Sequence, residues 1–140
     1  MKTRYRDIEP YVTRDGSLIR ELMHPALHGA SHGVRHQSLA EATVPVGTRT
    51  VLHRHARSEE LYFVLAGQGR MCLGEAVFDV AEGDALCIPP GVAHCIENTG
   101  QQGLRILCCC APAYSHRDTE LLEATGSPDQ STQMRGSGNE

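Results

Sequence analysis

The sequence predicts an all-β chain, a single antiparallel barrel or sandwich with one short helix near its C-terminus. Three observations point there. Residues 37–112 divide into strand-length segments, turn residues close nearly every one of them, and no helical period intervenes. A length of 140 residues suits one domain with one core.

Taken in order, residues 1–36 contain short apolar runs interrupted by Asp15-Gly16, Pro25, Gly29 and Gly33. They predict brief N-terminal strands and loops that pack on the barrel. The barrel segments follow as SLAEATV, RTVLHRH, ELYFVLA, RMCL, AVFDV, DALCIP, HCIEN and LRILCCC, with Gly74-Glu75 suited to a tight hairpin. After Pro112 the pattern changes. Residues 113–125 include SHRDTELLE, which reads as the helix, with Ser115 and Asp118 near its start. The stretch GSPDQSTQMRGSGNE, 126–140, is polar and Gly/Ser-rich and predicts a disordered tail.

Composition excludes several function classes. Thirteen basic and 17 acidic residues give a net charge of −4 without blocks of either sign, which argues against a nucleic-acid partner. The first ten residues carry charges but no apolar leader core. No later window approaches the roughly 18 apolar residues of a membrane span. A cytoplasmic protein without membrane association is the expectation. The six cysteines read as free thiols in a reducing compartment, because Cys108, Cys109 and Cys110 are consecutive and alternate between strand faces.

The chemistry concentrates in four residues. His53 and His55 are two apart, so on a strand both imidazoles leave one face, about 6–7 Å apart at their bases. Glu60 opens the next strand, and a short turn over residues 56–59 returns its carboxylate towards them. His94 opens HCIEN and completes the set from an adjacent strand. Three imidazoles and a carboxylate suit one divalent transition metal, Fe, Mn, Ni, Cu, Co or Zn, rather than calcium. Standing alone, an H-x-H on a strand would more often be two surface histidines.

These residues do not stand alone. Gly47, His53, His55, Glu60 and Gly67 are separated by five, one, four and six residues; Gly83, Pro89, Gly91, His94 and Asn98 by five, one, two and three. Both spacings resemble the two signature motifs of the cupin superfamily, over about residues 38–110. The resemblance implies a double-stranded β-helix, a jelly-roll barrel, with His53, His55, Glu60 and His94 as metal ligands. Glu59 is a rival to Glu60, but it lies on the opposite strand face, and the spacing to Gly67 selects Glu60. The motif glycines and Pro89 read as structural, placed where strands turn sharply.

The strand phase then orders the surroundings. With Glu60 inward, Tyr62 and Val64 face the interior, and Tyr62 becomes a candidate catalytic residue, as hydrogen-bond donor or general base; filling the barrel is its alternative role. Leu61, Phe63 and Leu65 face outward and require a cover, either the N-terminal segment or a second subunit; a homodimer is expected. Arg105 facing water places Leu104, Ile106, Cys108 and Cys110 inward as core residues. His24, His28, His32 and His36 recur every fourth residue, yet Pro25, Gly29 and Gly33 make them loop histidines rather than a helical metal stripe. Tyr114 and His116 either close the barrel mouth or pack outside it.

The functional expectation is a mononuclear metal-dependent enzyme of dioxygenase type acting on a small polar organic molecule. A metal-dependent lyase or isomerase, and a non-catalytic small-ligand-binding protein, are the alternatives on the same scaffold. No tryptophan and only two phenylalanines are available to hold a large flat substrate.

Overall fold

A computed structural model describes residues 1–30 and 32–124. Eleven strands form among them: β1 (Tyr11–Val12), β2 (Leu18–Met23), β3 (Ser38–Val44), β4 (His53–His55), β5 (Glu59–Ala66), β6 (Gln68–Leu73), β7 (Ala76–Ala81), β8 (Ala85–Ile88), β9 (His94–Asn98), β10 (Leu104–Ala111) and β11 (Thr119–Leu121). They build two antiparallel sheets, ordered β1-β2-β3-β10-β5-β8 and β11-β4-β9-β6-β7. The all-β architecture is the expected one. The tail expected over 126–140 lies outside the described residues.

Alternation along the strands generates the interior. β5 alternates exposed and buried from Glu59 to Val64, so Glu60, Tyr62 and Val64 point inward and Glu59, Leu61 and Phe63 outward. β10 buries Leu104, Ile106, Cys108 and Cys110, while Arg105 stays exposed and pairs with Glu41 on β3 at 2.6 Å. Because β3, β10 and β5 are neighbours, their inward residues stack in layers. Val44 faces Leu104, Ala42 and Val64 flank Ile106, Ala40 and Tyr62 flank Cys108, and Ser38 and Glu60 flank Cys110. The interior thus grades from wholly apolar at Leu104 to polar at Cys110. Met71, Ile88 and Ile96, each at most 1 % exposed, belong to the same apolar core. Burial of each such side chain is worth roughly 1.5–3 kcal/mol, so the apolar end supplies the stability that allows the other end to be polar.

Two glycines have a specific steric task. Gly67, at φ +89°, joins β5 to β6, and a Cβ there would lie 3.0 Å from the Gly103 carbonyl oxygen. Gly91, at φ +77°, donates its N–H to the His55 carbonyl at 2.7 Å, which ties the loop before His94 to the strand that carries the other histidines. The hairpin over Gly74-Glu75 forms as expected, closing β6 on β7 through the Leu73 to Ala76 pair.

Two local readings are corrected. The helix expected over 113–125 is a single 3-10 turn, His116–Asp118, and the following residues form β11, paired with β4. Ser115 does cap that turn, as a helix start should. The Asp118 carboxylate, however, accepts from the backbone N–H groups of Arg57 and Ser58 at 3.0 Å each, and the chain leaves the turn extended alongside β4. Tertiary pairing thus overrides a helical pattern. The His24 segment also contains one α-helical turn, Pro25–His28, with His24 as its N-cap and Pro25 in the first helical position, where proline is tolerated.

Candidate metal centre

β4 places His53 and His55 on one inward face, and β9 brings His94 opposite His53 in register. The ring centroids of His53 and His94 are 4.2 Å apart, and those of His55 lie 5.2 and 5.3 Å from the other two. Glu60 returns to them through the turn after His55, which Asp118 clamps. Its Oε1 lies 3.5 Å from His55 Nε2 and 3.6 Å from His94 Nε2. All four residues are at most 5 % exposed. The four predicted ligands therefore meet, and Glu59 lies outside the set.

Each imidazole is oriented by its other nitrogen. His53 Nδ1 lies 2.6 Å from the Val51 carbonyl and His94 Nδ1 3.0 Å from the Val92 carbonyl, so both Nδ1 atoms carry hydrogen and donate. His55 Nδ1 faces the Thr119 hydroxyl at 3.0 Å, and that hydroxyl donates to the Ser115 carbonyl at 2.9 Å. Its oxygen is left to accept from His55. In all three rings the bare lone pair is then on Nε2, directed at the common point.

Such a point cannot be filled by protein. His94 Nε2 and Glu60 Oε1 are buried and have no hydrogen-bond partner among the described residues, and lone pairs facing one another across 3.5 Å repel. A buried unpartnered polar atom costs about 1–3 kcal/mol, more when charged. Two donors each about 2.1 Å from one ion stand roughly 3.0–3.5 Å apart, which matches the Glu60 distances. The donor set fits a divalent transition metal. Burial and the neighbouring His94 push the His53 imidazole below its ordinary range, keeping it neutral. At Glu60 burial opposes the charged form, and the Cys110 thiol, which donates to Oε2, favours it.

The structure adds residues that sequence reasoning did not assign to the site. The Cys110 thiol donates to Glu60 Oε2 at 3.0 Å, so this cysteine orients the Glu60 carboxylate in addition to packing in the core. Its inward phase on β10 was the available signal. Asp15 approaches from the loop before β2, with Oδ2 3.6 Å from His53 Nε2. Its Oδ1 accepts from the Thr13 hydroxyl and from the N–H and hydroxyl of Ser17. The pattern Thr13-x-Asp15-x-Ser17 marks such a turn but not its destination.

Tyr62 is buried, with its ring centroid 6.4 Å from that of His94. Burial, reinforced by Glu60, pushes its phenol well up, which suits a hydrogen-bond donor better than a base. Tyr114 lines the cavity with its ring centroid 5.8 Å from that of His55, nearly perpendicular to it, whereas His116 is exposed. His24 and His28 do structural work: His24 Nδ1 accepts from Ala26 N–H, its Nε2 donates to the Tyr114 carbonyl at 2.7 Å, and His28 Nδ1 accepts from His24 N–H.

Residues 40–110 match the cupin domain family. The chain is a cupin. Among relatives of this cupin, an uncharacterized protein of Methanocaldococcus jannaschii is 54 % identical over 123 residues, covering 88 % of this chain and 95 % of its own. An oxalate-binding protein of Thermotoga maritima is 30 % identical over 87 residues, 62 % of this chain and 71 % of its own. Of solved structures, a predicted oxalate decarboxylase from Thermotoga maritima superposes with a TM-score of 0.68 at 24 % identity, covering 80 % of this cupin and 99 % of that chain. An oxalate decarboxylase of Bacillus subtilis superposes with a TM-score of 0.72 at 22 % identity, and the cupin spans about a third of its length. Those likenesses establish the fold. No helix among the described residues is long and apolar enough to cross a membrane.

Proposed function

We propose that this cupin is a mononuclear metal-dependent enzyme of dioxygenase type that binds a small polar organic molecule at an ion held by His53, His55, Glu60 and His94. The observation that carries the reading is the convergence of three bare Nε2 atoms and Glu60 Oε1 in a buried pocket without a protein donor to satisfy them. When bound, the ion supplies Lewis acidity and, if redox-active, electron exchange with dioxygen. Four protein ligands on an ion that accepts five or six leave room for a substrate. Tyr62, buried and protonated, donates a hydrogen bond to that substrate, and Asp15 closes the side next to His53.

The test is elemental analysis of protein prepared without a histidine tag, followed by oxygen uptake against a panel of small acids, diketones and phenols. One equivalent of Fe, Mn, Ni or Cu with substrate-dependent uptake supports the reading. One equivalent of metal without uptake favours a lyase or isomerase, which the oxalate-related neighbours make the second reading, or a binding protein. Metal that survives His53→Ala combined with His94→Ala overturns the ligand assignment.

The same reading includes a homodimer. Leu61 and Phe63 are 48 % and 42 % exposed and border a groove with Cys87, Leu107 and Cys109. A second copy of the chain is proposed as its cover. Light scattering on Leu61→Lys combined with Phe63→Lys tests it: a dimer converts to monomer, and an unchanged mass removes this face from consideration.

A further inference from the structure

The N-terminal strands bring a third carboxylate to the cavity. Glu21, on β2, is 5 % exposed, and its Oε1 accepts from the Tyr11 hydroxyl at 2.8 Å. Its Oε2 is buried and has no donor among the described residues. Glu21 and Ile19 lie on the same strand face and line the cavity that also contains His53, His55 and Glu60. Ala40 and Ala42 of β3 stand beside them in register, and their small side chains do not reach across the carboxylate. A buried, unpartnered acceptor on a residue that lines a cavity, with its partner oxygen already satisfied, is a position for a donor from outside the chain.

The rest of the wall narrows the class of molecule. The charged groups lining the cavity besides the histidines are Asp15, Glu21 and Glu60, and no arginine or lysine is among the lining residues. Ser17, Ser38 and Tyr114 supply neutral hydroxyls. A dicarboxylate coordinating a divalent ion would therefore bring two more negative charges to a poorly hydrated space where Asp15, Glu21 and Glu60 already outweigh the ion's two, with no arginine or lysine among the described lining residues to offset them. The cavity is small, about 40 Å³, which suits a compact molecule.

Resting on the metal-centre reading above, we propose that the cavity takes a small uncharged molecule with adjacent oxygens, an α-hydroxy ketone or vicinal diol. The oxygens chelate the ion, a hydroxyl donates to Glu21 Oε2, and small dicarboxylates are disfavoured. Two features carry this: the open acceptor at Glu21 and the all-acidic charge of the wall.

The protein is loaded with cobalt(II), its stoichiometry is measured, and hydroxyacetone and oxalate are titrated separately against the visible cobalt spectrum. Hydroxyacetone is expected to act at a concentration at least about tenfold below that of oxalate. Glu21→Gln, which replaces the charged acceptor by an amide that also donates, should weaken hydroxyacetone about tenfold and narrow the gap to oxalate. Oxalate acting at the lower concentration, no spectral response to hydroxyacetone, or an unchanged preference in Glu21→Gln each overturns the proposal while leaving the metal centre standing. Failure to take up cobalt overturns the metal-centre reading itself and the proposal with it. The wild-type comparison decides the question even if Glu21→Gln does not fold.

Discussion

Cys110 and Glu60 face each other across β10 and β5, and the thiol donates to the carboxylate oxygen that is turned away from the histidines. A core thiol thereby leaves the other oxygen free to act as ligand. Removing it in Cys110→Ala strands a buried carboxylate oxygen, at about 1–3 kcal/mol, and loosens the ligand. Metal affinity is expected to fall about tenfold or more, measured by chelator competition, with Cys110→Ser restoring most of it because a hydroxyl also donates. Equal affinity for the alanine variant would show that the contact does not orient Glu60.

Thr119, at the start of β11, holds the tautomer of His55. Thr119→Val removes the acceptor while preserving shape, so His55 Nδ1–H loses its partner and the ring its orientation. A drop of about 10–100-fold in metal affinity is expected, with recovery in Thr119→Ser. Calorimetric titration of the metal-free protein measures both.

Tyr62→Phe separates a donor from a filler. The ring remains, so metal stoichiometry and thermal midpoint should change little, whereas turnover falls by about an order of magnitude or more if the phenol contacts the substrate. An unchanged rate assigns Tyr62 to packing alone.

The metal-free protein should lose stability in mild acid. His53 is pushed below its ordinary value of 6.5 in the folded state. At higher pH the ring is neutral whether folded or unfolded and contributes nothing. As pH falls through about 6.5 the unfolded chain takes up a proton that the folded ring refuses, and the unfolding free energy declines until the folded ring also protonates. Urea midpoints of metal-free protein across this interval should fall with pH, and His53→Gln should flatten that part of the profile.

The barrel was legible in the sequence where period-two alternation carries the information. The inward phase of Glu60, Tyr62 and Val64, and of Leu104 to Cys110, follows from which residues tolerate water, and the histidine spacing does the rest. The contributions of Asp15 and Glu21 were not legible, because they depend on β2 pairing with β3, a contact between segments with no local signal. The Thr119 strand was hidden for the opposite reason: its local signal is helical, and pairing with β4 overrules it. The fourfold histidine recurrence at His24 and His28 falls on one α-helical turn, and their use as caps requires seeing which backbone groups the turn leaves unpaired.

The clamp that Asp118 and Thr119 place on the His55 to Glu60 turn also sets an order of events. During synthesis His55 leaves the ribosome 64 residues before Thr119, so for that interval its ring can present either nitrogen. A nascent chain halted after Pro112 would carry every ligand and still lack the piece that aims one of them. On the proposed metal-centre reading, ion capture is therefore a late step, and it reports that β11 has paired with β4.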